Sequence, residues 1–179
     1  MRSIVGRLDP AFDRYLKTSR FLLNWIAVGM FCVMLGANSY NIFLRTVFDL
    51  GTMWHQEVSI MAAFWIYFAA YALLSKEDGF IRVEFVVEKF APSTQYWIFV
   101  AVRLVIIAFH VILFIFCVRT FKLISIYETP ILQWPEYLYY IPLVVGTFDI
   151  IVTEIIHFLR TLAFPERAPV EAGPSRIAV

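Results

Sequence analysis

The third apolar stretch of the chain, residues 96–118, reads YWIFVAVRLVIIAFHVILFIFCV. An α-helix needs about 20 such residues to cross the hydrocarbon core of a bilayer. Only Arg103 and His110 interrupt the stretch with ionisable side chains. Burial in lipid explains an apolar run of this length better than burial in the core of a soluble domain. The stretch therefore predicts a membrane-spanning helix.

Three more stretches have a similar character, at residues 21–44, 58–74 and 137–162. The whole chain is 61% hydrophobic and 16% charged, against about 45–50% and about 25% in soluble domains. Because backbone groups in lipid must bond within their own segment, these stretches must be helices. We predict an all-α membrane protein with a single four-helix transmembrane domain over residues 1–164. The Pro-, Ala- and Gly-rich residues 165–179 are expected to form a disordered cytoplasmic tail.

The basic residues are distributed unevenly among the connecting segments. Eleven of the fifteen Lys and Arg residues lie before the first span, between the second and third spans, or in the last turn of the fourth span and beyond it. Three lie in the other two loops, and Arg103 lies inside a span. Cytoplasmic loops carry the excess of Lys and Arg. We therefore predict that both termini and the segment between the second and third spans lie in the cytoplasm.

Two segments outside the spans have helical amphipathic patterns. Residues 1–20 carry Leu8, Phe12, Tyr15 and Leu16 at helical spacing, with basic residues elsewhere on the wheel. Residues 80–90 repeat this pattern between the second and third spans. Both patterns are typical of helices that lie in the membrane interface on an anionic leaflet. A disordered basic tail is the alternative for the N-terminal segment.

Among the ionisable residues inside the predicted spans, four stand out: Arg103, His110, Asp149 and Glu154. Such residues are expensive in lipid and need partners. At about 1.5 Å per residue, Arg103 and Glu154 lie roughly 10–12 Å from the inner end of their spans, and His110 and Asp149 lie at roughly 20 Å. Depth therefore predicts the pairs Arg103–Glu154 and His110–Asp149, although one pair could instead face a partner subunit. Structural pairing is favoured over a proton relay.

Small residues indicate where helices approach one another closely. Gly29 and Gly36 lie a heptad apart in the first span, and a stripe in the fourth span contains Pro142, Gly146, Asp149 and Thr153. No catalytic motif, metal-ligating cluster or cofactor site is predicted. The three histidines differ in predicted depth by roughly 10 Å or more, which argues against a bis-histidine haem.

The order of several short motifs resembles the DctQ-type small membrane subunit of tripartite ATP-independent periplasmic (TRAP) transporters. The resemblance covers roughly residues 20–162 and rests on Asn41, Arg45, Phe48, Trp54, Glu57, Trp65, Ala69, Ala70, the Ile81-Arg82-Val83 segment, Pro92 and the Tyr140-Ile141-Pro142-Leu143 segment. The chain departs from the family at Gln56, where a second acidic residue is common, and at Phe80, where a histidine is usual. These departures put in doubt a fixed polar role at the two positions.

The resemblance implies a non-enzymatic scaffold for a large elevator-type permease subunit, in sodium-driven uptake of an organic acid delivered by a periplasmic binding protein. It implies no cofactor. The expected partner or lipid interface comprises Arg45, Trp54, Glu57, Trp65 and Arg82. Arg45 and Glu57 could alternatively bridge across the first loop. A haem- or quinone-binding membrane anchor and a small self-assembling transporter are the competing functions.

Overall fold

The computed structural model describes residues 2–77 and 92–163, and the regular structure in these ranges is helical. Helix α1 spans Arg2–Phe48, α2 spans Trp54–Lys76, α3 spans Pro92–Ile124 and α4 spans Tyr137–Ala163. All four are long and apolar enough to cross a membrane. The prediction of an all-helical chain with four helices of spanning length is confirmed.

Helix α4 lies at the centre of the arrangement. It packs against α2 and α3, while α1 packs mainly along α2 and also contacts α4. The described part of the chain therefore has the spatial order α1, α2, α4, α3. Helix α4 buries Ile150 and Ile156 together with polar residues such as Thr153 and Glu154. The core is therefore built around one helix that carries both apolar and charged side chains.

The N-terminal amphipathic segment is helical and continuous with the first predicted span, and its placement in the membrane interface stays a prediction. Residues 7–20 form the beginning of α1, which continues unbroken to Phe48. At about 1.5 Å per residue, a helix of 47 residues is roughly 70 Å long, more than twice the roughly 30 Å hydrocarbon core. Nothing after Pro10 breaks the helix, and side chains of this segment bind α4, so it packs lengthwise on the chain.

Three features predicted from the sequence lie outside the described residues. These are the amphipathic helix at residues 80–90, the interface residue Arg82, and the C-terminal tail at residues 165–179. They stay predictions.

Helices α2 and α4 approach each other closely at Gly146. A Cβ atom at this position would lie 3.1 Å from both the Cβ and the carbonyl oxygen of Phe68. The predicted small-residue stripe on α4 is buried along its length, from Pro142 through Gly146 to Thr153. By contrast, a Cβ atom added at Gly29 or Gly36 on α1 would meet no atom within 4 Å, so the predicted packing role of these two glycines is not fulfilled within the described chain.

We predict that Gly146→Leu destabilises the purified chain by about 1–3 kcal/mol, because a larger side chain would meet the backbone of α2. The unfolding midpoint in detergent measures this effect. Gly36→Leu is the matched control, since it places the same side chain on a helix in open space. Equal midpoints for the two variants would contradict the close approach of α2 and α4.

Candidate functional site

Asp149 on α4 accepts bonds from two other helices. Lys76, at the end of α2, forms an ion pair with its Oδ2 atom and also contacts Thr153 Oγ1 at 3.1 Å. Tyr15 on α1 donates its hydroxyl to Oδ1 at 2.9 Å, and Ser19 donates to the same oxygen. The Lys76 and Asp149 side chains are only 2% and 9% exposed. This carboxylate therefore ties α1 and α2 to α4.

Glu154, also on α4, joins α2 and α3. Its Oε2 atom lies 3.2 Å from Arg103 Nη1 on α3, and its Oε1 accepts a bond of 3.0 Å from Ser75 Oγ on α2. The predicted contact between Arg103 and Glu154 is therefore confirmed. Both side chains are buried, so the guanidinium neutralises a carboxylate that would otherwise be an unpaired charge in an apolar surrounding.

The predicted pairing of His110 with Asp149 is wrong. The His110 ring is 2% exposed, its Nδ1 donates to the carbonyl of Ile106 at 2.8 Å, and it stacks on Tyr71 with ring centroids 5.8 Å apart. Asp149 instead faces α1 and α2, where Lys76 neutralises it. His110 and Asp149 have the same predicted depth along their helices, but their side chains face different neighbours.

A further set of ion pairs joins the start of α1 to the end of α4. Arg160 donates from Nε to Asp9 Oδ1 at 2.9 Å and from a terminal nitrogen to Asp13 Oδ1 at 2.7 Å. Asp9 and Asp13 lie one turn apart on α1, so a single guanidinium binds both. These contacts hold the N-terminal segment against α4.

At the other end of the helices, Glu57 is bound by the loop between α3 and α4. The backbone N–H groups of Ile131 and Leu132 each donate to a separate oxygen of its carboxylate at 2.9 Å. Tyr139 on α4 donates to the backbone carbonyl of Glu57 at 3.1 Å. Glu57 is 7% exposed. The structure therefore corrects the alternative of a bridge to Arg45 and makes Glu57 an intramolecular clamp.

The loop is shaped to present those N–H groups. Thr129 donates its N–H to the Trp134 carbonyl at 2.8 Å, and Trp134 returns a bond of 3.0 Å to Thr129 Oγ1. Gln133 has a positive φ of 53°, a conformation that closes such a turn. The reversed loop leaves the backbone N–H groups at its tip free to bind a carboxylate.

The remaining predicted interface residues have different environments. Arg45 is exposed at the last turn of α1. Trp54 is half-buried against Tyr40, with ring centroids 6.1 Å apart, and Trp65 is half-buried on α2. Near them, Asn41 accepts bonds from both the N–H and the hydroxyl of Thr52, at 3.1 and 2.9 Å, which fixes the loop from α1 to α2.

Sequence reasoning missed Lys76, Ser75, Tyr15 and Ser19. Lys76 was assigned to a loop because it follows the second apolar stretch, yet a lysine at a helix end can extend its stem along apolar surface. The pairing of a lysine and a serine directly after a span was the available signal. The sequence does not indicate that the hydroxyls of Tyr15 and Ser19 bind another helix, because the amphipathic pattern of their segment predicts a helix at the membrane surface.

The arrangement stabilises the fold and offers little for chemistry on a solute. The carboxylates of Asp149 and Glu154 are each engaged by a cation and a hydroxyl from other helices. Within the described residues, no group of three or more His, Cys, Asp or Glu side chains is placed to hold a metal ion. These charged groups therefore hold helices together.

Removing the Glu57 carboxylate should release the loop from α2. We predict that Glu57→Ala increases the hydrogen-exchange rates of the Ile131 and Leu132 amides, because both lose their acceptor. Hydrogen exchange of the purified chain with mass spectrometry measures this. Glu128→Ala, which removes an exposed carboxylate from the same loop, should leave these rates unchanged. Unchanged protection in Glu57→Ala would contradict the clamp.

Breaking the buried pair between α3 and α4 should be costly. Arg103→Glu or Glu154→Arg alone is expected to lower the free energy of unfolding by about 3–5 kcal/mol, because each leaves two like charges together in an apolar surrounding. The double variant should regain part of this loss. Unfolding midpoints in detergent provide the measurement, with Arg119→Glu as an exposed control on the same helix. A double variant no more stable than either single variant would argue against the pair.

Comparison with known proteins agrees with this architecture. A search of curated proteins finds no match to the chain. The family model for the DctQ component of tripartite ATP-independent periplasmic transporters matches residues 34–164. The match includes the Glu57 clamp, both carboxylates of α4 and Arg103. DctQ proteins are transporter components and not enzymes. This chain belongs to the DctQ family, the small permease subunits of TRAP transporters, which work with a large permease subunit and a binding protein.

Proposed function

We propose that this chain is the fixed scaffold of its transporter, which holds the large permease subunit while that subunit carries substrate by an elevator motion. The observation that carries the proposal is that the buried charged side chains form ion pairs within the chain. Lys76, Arg103, Asp149 and Glu154 bind one another across helices within the chain. A subunit whose charged groups lock its own helices together is suited to stay still while a partner moves.

The form of the helices also supports a scaffold. Substrate and ion sites of secondary transporters are typically built from discontinuous helices near the bilayer midplane. Each of the four described helices is continuous, and the positive-φ residues of the described chain, Asp49 and Gln133, lie in loops. We therefore assign the sites for sodium and for an organic acid to the large subunit.

The proposed setting is the inner membrane of a bacterium, with both termini in the cytoplasm. The uneven distribution of Lys and Arg supports this orientation. It places the Glu57 clamp and the α3–α4 loop on the periplasmic side, where a binding protein delivers substrate. Arg45, Trp54 and Trp65 are the residues that we propose contact the large subunit or lipid headgroups, since Glu57 is engaged within the chain.

Reconstitution tests the proposal. The chain is inserted into proteoliposomes with the large permease subunit encoded beside it, and uptake is measured with the purified binding protein and a panel of radiolabelled mono- and dicarboxylates. Uptake should require all three proteins and an inward sodium gradient. Proteoliposomes that contain only this chain should take up none of the panel.

Arg45→Ala should lower the amount of large subunit that co-purifies with the chain, and Arg119→Ala is the matched control at an exposed helix end. Uptake by this chain alone would overturn the scaffold role. So would uptake by the large subunit that is equally fast without this chain.

A further inference from the structure

A groove of about 710 Å³ opens between α1 and α2, near the end of α2 that carries Lys76. Its α1 wall consists of Lys17, Arg20, Phe21 and Asn24. These residues follow the i, i+3, i+4, i+7 spacing that places side chains on one face of a helix. The volume lies in the range of about 300–1,000 Å³ that is typical of ligand pockets.

The α2 wall has the same spacing, with Ala70, Leu73, Leu74 and Glu77. Because α1 and α2 are antiparallel neighbours joined by a short loop, Glu77 lies opposite the start of the α1 wall and Ala70 lies opposite its end. The ion pair between Arg20 and Glu77 confirms this register. The groove is therefore charged at its mouth and mostly apolar further along the helices, where Asn24 is the polar side chain of the lining.

The mouth carries an excess of positive charge. Lys17 is exposed and, among the residues that the structure describes, forms no ion pair within 4 Å; Asp13, one turn earlier, is bound by Arg160. Arg20 pairs with Glu77, but both side chains are more than half exposed, and exposed pairs of this kind contribute little. The mouth therefore presents two cations to an anionic group, against one carboxylate that competes with it for Arg20.

The apolar part of the groove is open at the outer surface of the chain. Phe21 is 62% exposed and Leu74 is 41% exposed in the isolated chain. Both belong to helices that are long enough to span a bilayer. An occupant of this groove therefore meets cations near the end of α2 and apolar side chains further along α1 and α2.

We propose that this groove binds one anionic phospholipid, with its phosphate at Lys17 and Arg20 and an acyl chain along Phe21, Leu73 and Leu74. Charge complementarity favours this occupant, since basic pockets between helices on the cytoplasmic side suit anionic headgroups. An apolar helix of a partner protein would make no use of the two cations. The site does not depend on the scaffold role, so either proposal can fail without the other.

Native mass spectrometry of the full chain in detergent tests the site, with dioleoyl phosphatidylglycerol and dioleoyl phosphatidylcholine as probes. One phosphatidylglycerol molecule should remain bound, with clear preference over phosphatidylcholine. The double variant Lys17→Gln, Arg20→Gln should weaken binding by about 30-fold, since each basic residue near the surface is worth about five-fold. Arg119→Gln, which removes one exposed charge from α3 outside the groove, should leave binding unchanged.

Two further variants separate the headgroup from the acyl chain. Glu77→Gln should tighten phosphatidylglycerol binding, because it removes the carboxylate that competes for Arg20; this gain cannot arise from misfolding. Ala70→Trp should abolish binding by filling the apolar end, while Ala63→Trp, on an exposed position one heptad earlier, should not.

Three results would overturn the proposal. The first is equal binding of the two lipids, or an equal loss of phosphatidylglycerol binding in Arg119→Gln. The second is displacement of phosphatidylglycerol by millimolar inorganic phosphate, which would indicate a site for a free anion. The third is lipid-free protein in the complex with the large subunit together with cross-links from Phe21 to that subunit, which would indicate that a protein helix occupies the groove.

Discussion

The two carboxylates of α4 impose the main constraint on this fold. An unpaired charge at membrane depth is costly, and removing one partner of a buried pair is strongly destabilising. Asp149 and Glu154 therefore need cations and hydroxyl donors, and α4 supplies none of those cations itself. Lys76 comes from α2, Arg103 from α3, and Tyr15 from α1. Pairing the two carboxylates of α4 thus requires contacts from the other three helices, and these contacts fix the arrangement of those helices around α4.

The same requirement acts at the opposite end of α2, with a different solution. Glu57 has no cation beside it among the described residues; two backbone N–H groups of the α3–α4 loop bind its oxygens instead. Hydrogen bonds to a charged acceptor are among the stronger ones in proteins. Helix α2 is therefore held to the rest of the chain at both ends, by a loop at Glu57 and by α4 at Ser75 and Lys76. A helix held in this way moves as one body with its neighbours.

The sequence predicted the parts of this arrangement that depend on position along a helix. Apolar length predicted four spans, and equal depth predicted the contact between Arg103 and Glu154. Depth failed for His110 because a contact also depends on direction around the helix axis. Asp149 and Glu154 are five residues apart and therefore point about 140° apart, so they cannot both face α3. The sequence could not predict the intramolecular role of Glu57, because its donors are backbone N–H groups of a loop. Every residue except proline has such a group, so the sequence does not indicate which ones bind the carboxylate.

The pairing of charges inside the chain also determines how it can recognise a partner. Its outer faces are apolar, with residues such as Trp25 and Phe109 exposed. In lipid these faces gain no hydrophobic driving force for association, since lipid tails cover them equally well. Specific docking of a large subunit therefore has to use shape or polar groups. The described chain offers both on α1, in the open backbone at Gly29 and Gly36 and in the exposed guanidinium of Arg45. Helix α1, at the edge of the arrangement, is the element on which such recognition can act without disturbing the pairs around α4.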